Sequence, residues 1–234
     1  MTTLSSIVSS IQDILQDSAY TNQNIVDRIN ESVTTIAGGI RMPNGQISPP
    51  LPDLFTMSTV TTSTTLPYVS LPVNYQRKVM NIYDSSGCRI APPSGGDYYA
   101  FALFLKRVSN FNLTEAGSVY RVCVKGSKLY YQGIPAAATA LGIHYYRKPV
   151  DIALDADVPD GIPDHLAERL IKHYVIKNVY GDMIEAGVTE PARGFQYHEA
   201  QFYQAMTDLC DFIGIDAEPT YYGSGGYEDG GVCD

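Results

Sequence analysis

"DADVPDGIPDHLAERL", residues 155–170, decides how the last third of the chain is read. Three aspartates at short spacing, then a glycine, resemble the head of a calcium loop. An EF-hand loop needs oxygen ligands at positions 1, 3 and 5, glycine at 6 and a bidentate glutamate at 12. Counted from Asp155, position 3 is Asp157, but position 5 is Pro159 and position 12 is Leu166. No carboxylate closes the loop. The same residues make a good helix entry. Pro159, Asp160 and Gly161 supply turn chemistry, Pro163 suits a first turn where its missing N–H costs nothing, and Asp164 complements the helix dipole. The stretch predicts a helix from Pro163 to about Ala186 and no metal site.

Working outward, Leu166, Leu170, Tyr174, Val175, Val179, Met183 and Ile184 give that helix a wide apolar face, as extensive packing requires. Gly187 ends it. After Pro191 a further helix carries Phe195, Phe202, Met206, Leu209 and Ile213 close to a heptad rhythm, and Gly214 stops it. At the other end of the chain, Leu4, Ile7, Val8, Ile11, Ile14 and Leu15 follow helical spacing. A break at Asp17 to Thr21 separates them from Ile25, Ile29, Val33 and Ile36, with Gly38-Gly39 as the stop. These two segments read as a helical hairpin.

The middle is different. "TMSTVTTSTT" is β-branched and favours extended structure. A strand is expected at Arg77 to Tyr83, before a turn at Ser85-Ser86-Gly87. "YYAFALFLKRV", 98 to 108, fits helix or strand, since periodicity does not separate them in a short apolar run. "VYRVCVKGSKLYYQG" reads as two strands joined by a tight turn at Gly126-Ser127, with Tyr120, Val122 and Val124 alternating with Arg121, Cys123 and Lys125 on the opposite face. "ALGIHYYRK" is expected as a third strand of that group, with Leu141, Ile143 and Tyr145 on one face. The fold class is therefore α+β: a helical bundle of an N-terminal hairpin and two C-terminal helices, a β-rich insertion, and an extended C-terminal tail. The boundaries fall at 1–39, 40–150, 151–214 and 215–234.

Composition narrows the function. The chain has 234 residues, 44% hydrophobic and 18% charged, with 18 tyrosines, no tryptophan and a formal net charge of −9. That is a globular composition. Tyrosine offers large amphipathic contact area and suits surfaces buried between subunits. The acidic balance argues against a generic nucleic-acid-binding surface, though an acidic wall lets DNA slide past. The start "MTTLSSIVSSIQDIL" lacks the basic region of a signal peptide, and no apolar run approaches membrane-spanning length. No membrane association is expected. Cys88, Cys123, Cys210 and Cys233 include no CxxC pair, so no zinc site is expected.

Catalytic signatures fail at named positions. "HEAQF" opens like a zinc-protease helix, but the second histidine would have to be residue 202, which is Phe202. His165 and His173 lie too far apart along one helix to share a metal. Asp164 and Glu168 form an i, i+4 pair that a solvated face explains. There is no GxSxG elbow and no Walker loop, and "GSGGYEDGG" opens no helix. No catalytic, cofactor or metal residue is assigned, and no enzymatic activity is expected.

The order of the pieces carries a resemblance. A helical hairpin with "NIVDRINESVTTIAG" leads to "LPVNYQRKVMNIYDSSG" and then to "IHYYRKPVD". The acidic turn and helix "DVPDGIPDHLAERLIKHYVIKNVY" follow, and then "YHEAQFYQAMTDLCDFIG". From about residue 20 to 214 this resembles the head-to-tail adaptor (connector) proteins of tailed bacteriophages. The resemblance implies a structural virion protein at the head–tail junction, assembled in the host cytoplasm. Its partners would be further copies in a ring of about twelve with head-to-tail contacts, the portal protein, and tail or nozzle proteins. DNA would meet it only in transit through the lumen. Family members often carry a C-terminal extension that reaches the portal. In 215–234 the apolar handles for such docking are Ile215, Tyr221, Tyr222, Tyr227 and Val232. A minor tail or tail-completion protein is the competing class, and an enzyme of unrecognised class the third.

Overall fold

The computed structural model describes residues 2–16, 20–93, 96–106, 113–188 and 191–214. The chain divides into two compact units, one within Met1–Leu54 and Lys148–Asp216, the other within Phe55–Arg147. The architecture is α+β, with helices in the first unit and two small antiparallel sheets in the second.

The helical unit contains α1 (Leu4–Leu15), α2 (Asn22–Gly38), a 3-10 turn (Pro52–Leu54), α4 (Asp164–Glu185) and α5 (Ala192–Ile213). α4 packs against α1, α2 and α5. The expected face is buried at Leu166, Leu170, Tyr174, Val175 and Val179, and Ile171, within that face, and Ile176, beyond its edge, are equally buried. Ile184, expected inside, is 38% exposed. A helix enclosed by three others loses its one-sided pattern, which is why periodicity identified only part of its core. Pro163 occupies the N-cap position rather than the first turn. At the other end Gly187 N donates to Ile184 O and Val188 N to Met183 O, a Schellman closure with Gly187 at φ 88. The α5 seam is buried at Phe202, Met206 and Leu209, while Phe195 and Ile213 are half-buried.

α1 is tied to the opening stretch. Thr3 and Ser6 form a capping box, Leu4 N donates to Asp157 O at 2.8 Å, and Ser5 N donates to Asp155 O at 3.2 Å. The N–H groups that a helix start leaves unpaired are thus all taken.

The β unit contains β1 (Phe55–Thr61), β2 (Tyr68–Ser70), β3 (Tyr75–Tyr83), α3 (Phe101–Lys106), β4 (Arg121–Lys125), β5 (Lys128–Gln132) and β6 (Ala140–Arg147). One sheet has the order β1-β6-β3, the other β2-β5-β4. Val60, Val79, Ile82, Leu141, Ile143 and Tyr145 from the first share a core with Val122, Val124, Leu129 and Tyr131 from the second. Three expectations are corrected. β6 does not join β4 and β5 but lies between β1 and β3. After β5, Gly133 turns at φ 84, Ile134 N bonds Glu115 O, and Pro135 has no N–H to offer a ladder, so the chain leaves that sheet. β1 stops at Thr61, because Ser63 Oγ accepts from Thr65 N and Leu66 N and closes a local turn. Cys123, expected to alternate away from the core side, is fully buried, since α3 packs on β4. The ambiguous run at 98 to 108 is helical over Phe101–Lys106, and Gln132 Nε2 donates to Phe104 O.

Candidate functional site

The tail residues expected to bind a partner, Ile215, Tyr221, Tyr222, Tyr227 and Val232, lie outside the described residues. Within these, the aspartates of the opening stretch have structural partners. Asp157 Oδ2 accepts from Ala153 N at 2.8 Å and Leu154 N at 2.7 Å. Asp160 Oδ2 accepts from Val150 N at 2.8 Å, and Asp164 Oδ1 accepts from Thr2 N. Those backbone donors hold the Asp157 and Asp164 carboxyls below the ordinary carboxylate range. No group of three or more His, Cys, Asp or Glu suited to a metal occurs among the described residues.

Among the described residues, a buried histidine pair joins two helices. His173 on α4 and His198 on α5 are 8% and 6% exposed, with their Nδ1 atoms 2.8 Å apart. The rings of Tyr197 and Tyr180 stand edge-on to His198 at 5.1 and 5.7 Å. Burial, then the His198 ring, then Lys172 and Arg169 pull the His173 pKa down to about 4. Burial and Lys172 lower that of His198. A neutral pair sharing one Nδ1–H is a structural hydrogen bond between helices. The signal was present in the sequence: His198 lies three residues after Phe195 and four before Phe202, on the packing seam itself.

Two surfaces carry unbalanced charge. The β4–β5 hairpin pairs Lys125 directly with Lys128. Lys128 Nζ sits 3.9 Å from the Tyr68 ring centroid, and Lys125 Nζ 5.7 Å from that of Phe101. Tyr130 bridges the two rings, 5.5 Å from Tyr68 and 5.0 Å from Phe101. Like charges directly opposite across strands are unfavourable, and the aromatic faces offset part of that cost. Neither lysine has an ion pair among the described residues.

On the helical unit, an open cleft of about 460 Å³ is lined by Tyr20, Asn24, Asp27, Arg28, Glu31 and Asp182. Its one cation, Arg28, is engaged by Asp182. Asp27 accepts from Gln23 Nε2 at 2.8 Å, and Glu31, one turn further along α2, meets no cation among the described residues. Like charges four apart on a helix repel. The pattern extends to the whole sequence. Residues 55–147 hold nine Lys and Arg against three acidic residues, whereas the chain as a whole has 16 against 25. A basic β unit is joined to an acidic helical unit.

No helix among the described residues is long and apolar enough to cross a membrane. No curated protein matches the chain. The family model described as SU10 adaptor protein matches residues 2–225. With nearly the full length matched, the chain belongs to the SU10 adaptor protein family, the structural adaptors of phage virions.

Proposed function

We propose that the protein is a head-to-tail adaptor that forms a ring beneath the portal, joins the DNA-filled capsid to the tail and lets DNA pass. The observation that carries this reading is the family match over residues 2–225. Charge segregation supports it: a closed ring uses two different surfaces of each subunit, and the basic and acidic units offer such a pair. About twelve copies would match the symmetry the resemblance implies for the portal. The 215–234 segment, through Ile215, Tyr221, Tyr222, Tyr227 and Val232, anchors the ring to the portal, and tail or nozzle proteins assemble on the opposite side. The protein works in the virion neck, is assembled in the host cytoplasm, and performs no catalysis.

Sedimentation of the full chain, alone and mixed with purified portal rings, tests the proposal. A ring that co-sediments with portal is expected. A chain ending at Gly214 should keep its melting temperature and lose portal attachment. If it binds portal as tightly as the full chain, the anchor is elsewhere.

A further inference from the structure

We infer that the lysine hairpin of the β unit, Lys125 and Lys128 with Tyr68, Phe101 and Tyr130, docks against the acidic α2–α4 cleft of a second copy of this chain. The inference rests on the ring reading and assigns the two faces that such a ring would join.

Both surfaces hold like charges side by side without a counterion. Lys125 and Lys128 face each other across a two-residue turn, each with its ammonium over an aromatic ring. Asp27 and Glu31 stand one helical turn apart, beside an Asp182 already engaged by Arg28. Each arrangement is unfavourable in a lone subunit, and each is relieved by the other. The hairpin is also shaped for insertion. Its tip is Gly126-Ser127, Lys125 is exposed, and rigid aromatic rings surround its base. Aromatic residues are enriched at interface cores and charged residues belong to the polar rim, so the rings would form the centre of the contact and the lysines its border. The cleft is open and lined by carboxylates and Tyr20. The occupant is a copy of this chain because the chain itself supplies the complementary charge. Outside 55–147 it carries 22 acidic against seven basic residues. Contact between two different surfaces propagates head to tail, as ring closure requires.

The test uses the full chain and two variants, Lys125→Glu/Lys128→Glu and Asp27→Lys/Glu31→Lys, with circular dichroism confirming that each is folded. A milder pair, Lys125→Gln/Lys128→Gln, replaces the first if its fold is disturbed. Mass is measured by light scattering between about 50 mM and about 500 mM salt, a range over which exposed charges become screened. The wild-type chain should assemble at low salt and dissociate as salt rises. Each charge-reversal variant alone should stay monomeric, because both of its faces then carry one sign. An equimolar mixture of the two should assemble again, since every junction in an alternating ring pairs opposite charges. If both variants assemble like the wild type, the ring stands and the docking assignment fails. A wild-type chain that stays monomeric alone and with portal overturns both. If Lys125→Glu/Lys128→Glu loses binding to a short DNA duplex while self-assembly persists, the hairpin is a nucleic-acid surface instead.

Discussion

His173 and His198 face each other across the α4–α5 interface with 2.8 Å between their Nδ1 atoms. One ring donates and the other accepts, which requires that at least one be neutral at that nitrogen. The groups around them are Tyr180 and Tyr197, with Lys172 and Arg169 supplying further positive charge. Since the folded-state pKa of His173 is lowered from the ordinary 6.5 to about 4, the unfolded chain binds more protons between those values. Stability is therefore complete above about pH 6.5 and falls as pH drops toward about 4, by on the order of 2–3 kcal/mol. Urea unfolding at pH 7.5, 6 and 5 measures this. The double variant His173→Gln/His198→Gln should flatten that part of the acid limb. An unchanged slope would show that other groups set it.

Leu170 is fully buried on α4, the helix that touches all the other long helices of its unit. Leu170→Ala is expected to destabilise by about 2–5 kcal/mol, the range for a leucine whose cavity collapses only partly. Ile184→Ala, on the exposed end of the same helix, should change stability by less than about 1 kcal/mol. Denaturant midpoints of the two variants distinguish a central α4 from a peripheral one.

The helices were legible because their stripes recur at Ile7–Ile11, Ile25–Ile29 and Phe202–Met206, and because Gly39, Gly187 and Gly214 mark their ends. What remained hidden was long-range. Strand β6 has clear alternation at Leu141, Ile143 and Tyr145, yet nothing local says that its neighbours are β1 and β3. Thr62 and Thr139 set that register through mutual hydrogen bonds, a pairing 77 residues apart. The histidine pairing is long-range too: the seam position of His198 is visible locally, but its partner lies 25 residues away on another helix. The lysine hairpin could be read as a turn, but its charge imbalance shows only when the β unit is separated from the acidic helices.

Asp157 organises the loop that receives α1, and its carboxylate holds two backbone N–H groups of the preceding turn. Asp157→Ala should lower the melting temperature, and Asp157→Asn should lower it less, because the amide oxygen still accepts. The depressed pKa of Asp157 sets the sign of its pH dependence. Its contribution is present above the ordinary carboxylate value and lost as pH falls below it. Melting curves in EDTA, calcium and zinc should superimpose. A large upward shift with calcium would mean that the carboxylates bind metal in the folded state.

Gly194 lies in the first turn of α5, and a Cβ there would come 2.5 Å from Tyr180 Cε2 and 2.9 Å from Cδ2. Gly181, on α4, is different: its added Cβ would meet the Phe195 ring at an ordinary 3.5 Å. On helix propensity alone, either glycine replaced by alanine gains up to about 1 kcal/mol. At Gly181 that gain should appear. At Gly194 the Tyr180 ring must move, and it stands edge-on to His198. Displacing it disturbs the packing around the histidine pair, and overpacking of this kind costs about 1–3 kcal/mol. Gly194→Ala is therefore expected to destabilise while Gly181→Ala is neutral or stabilising. The imidazole proton resonances of His198 should shift in the first variant and hold in the second. Equal stability gains in both would show that α4 and α5 are further apart at Gly194 than the glycine contact requires.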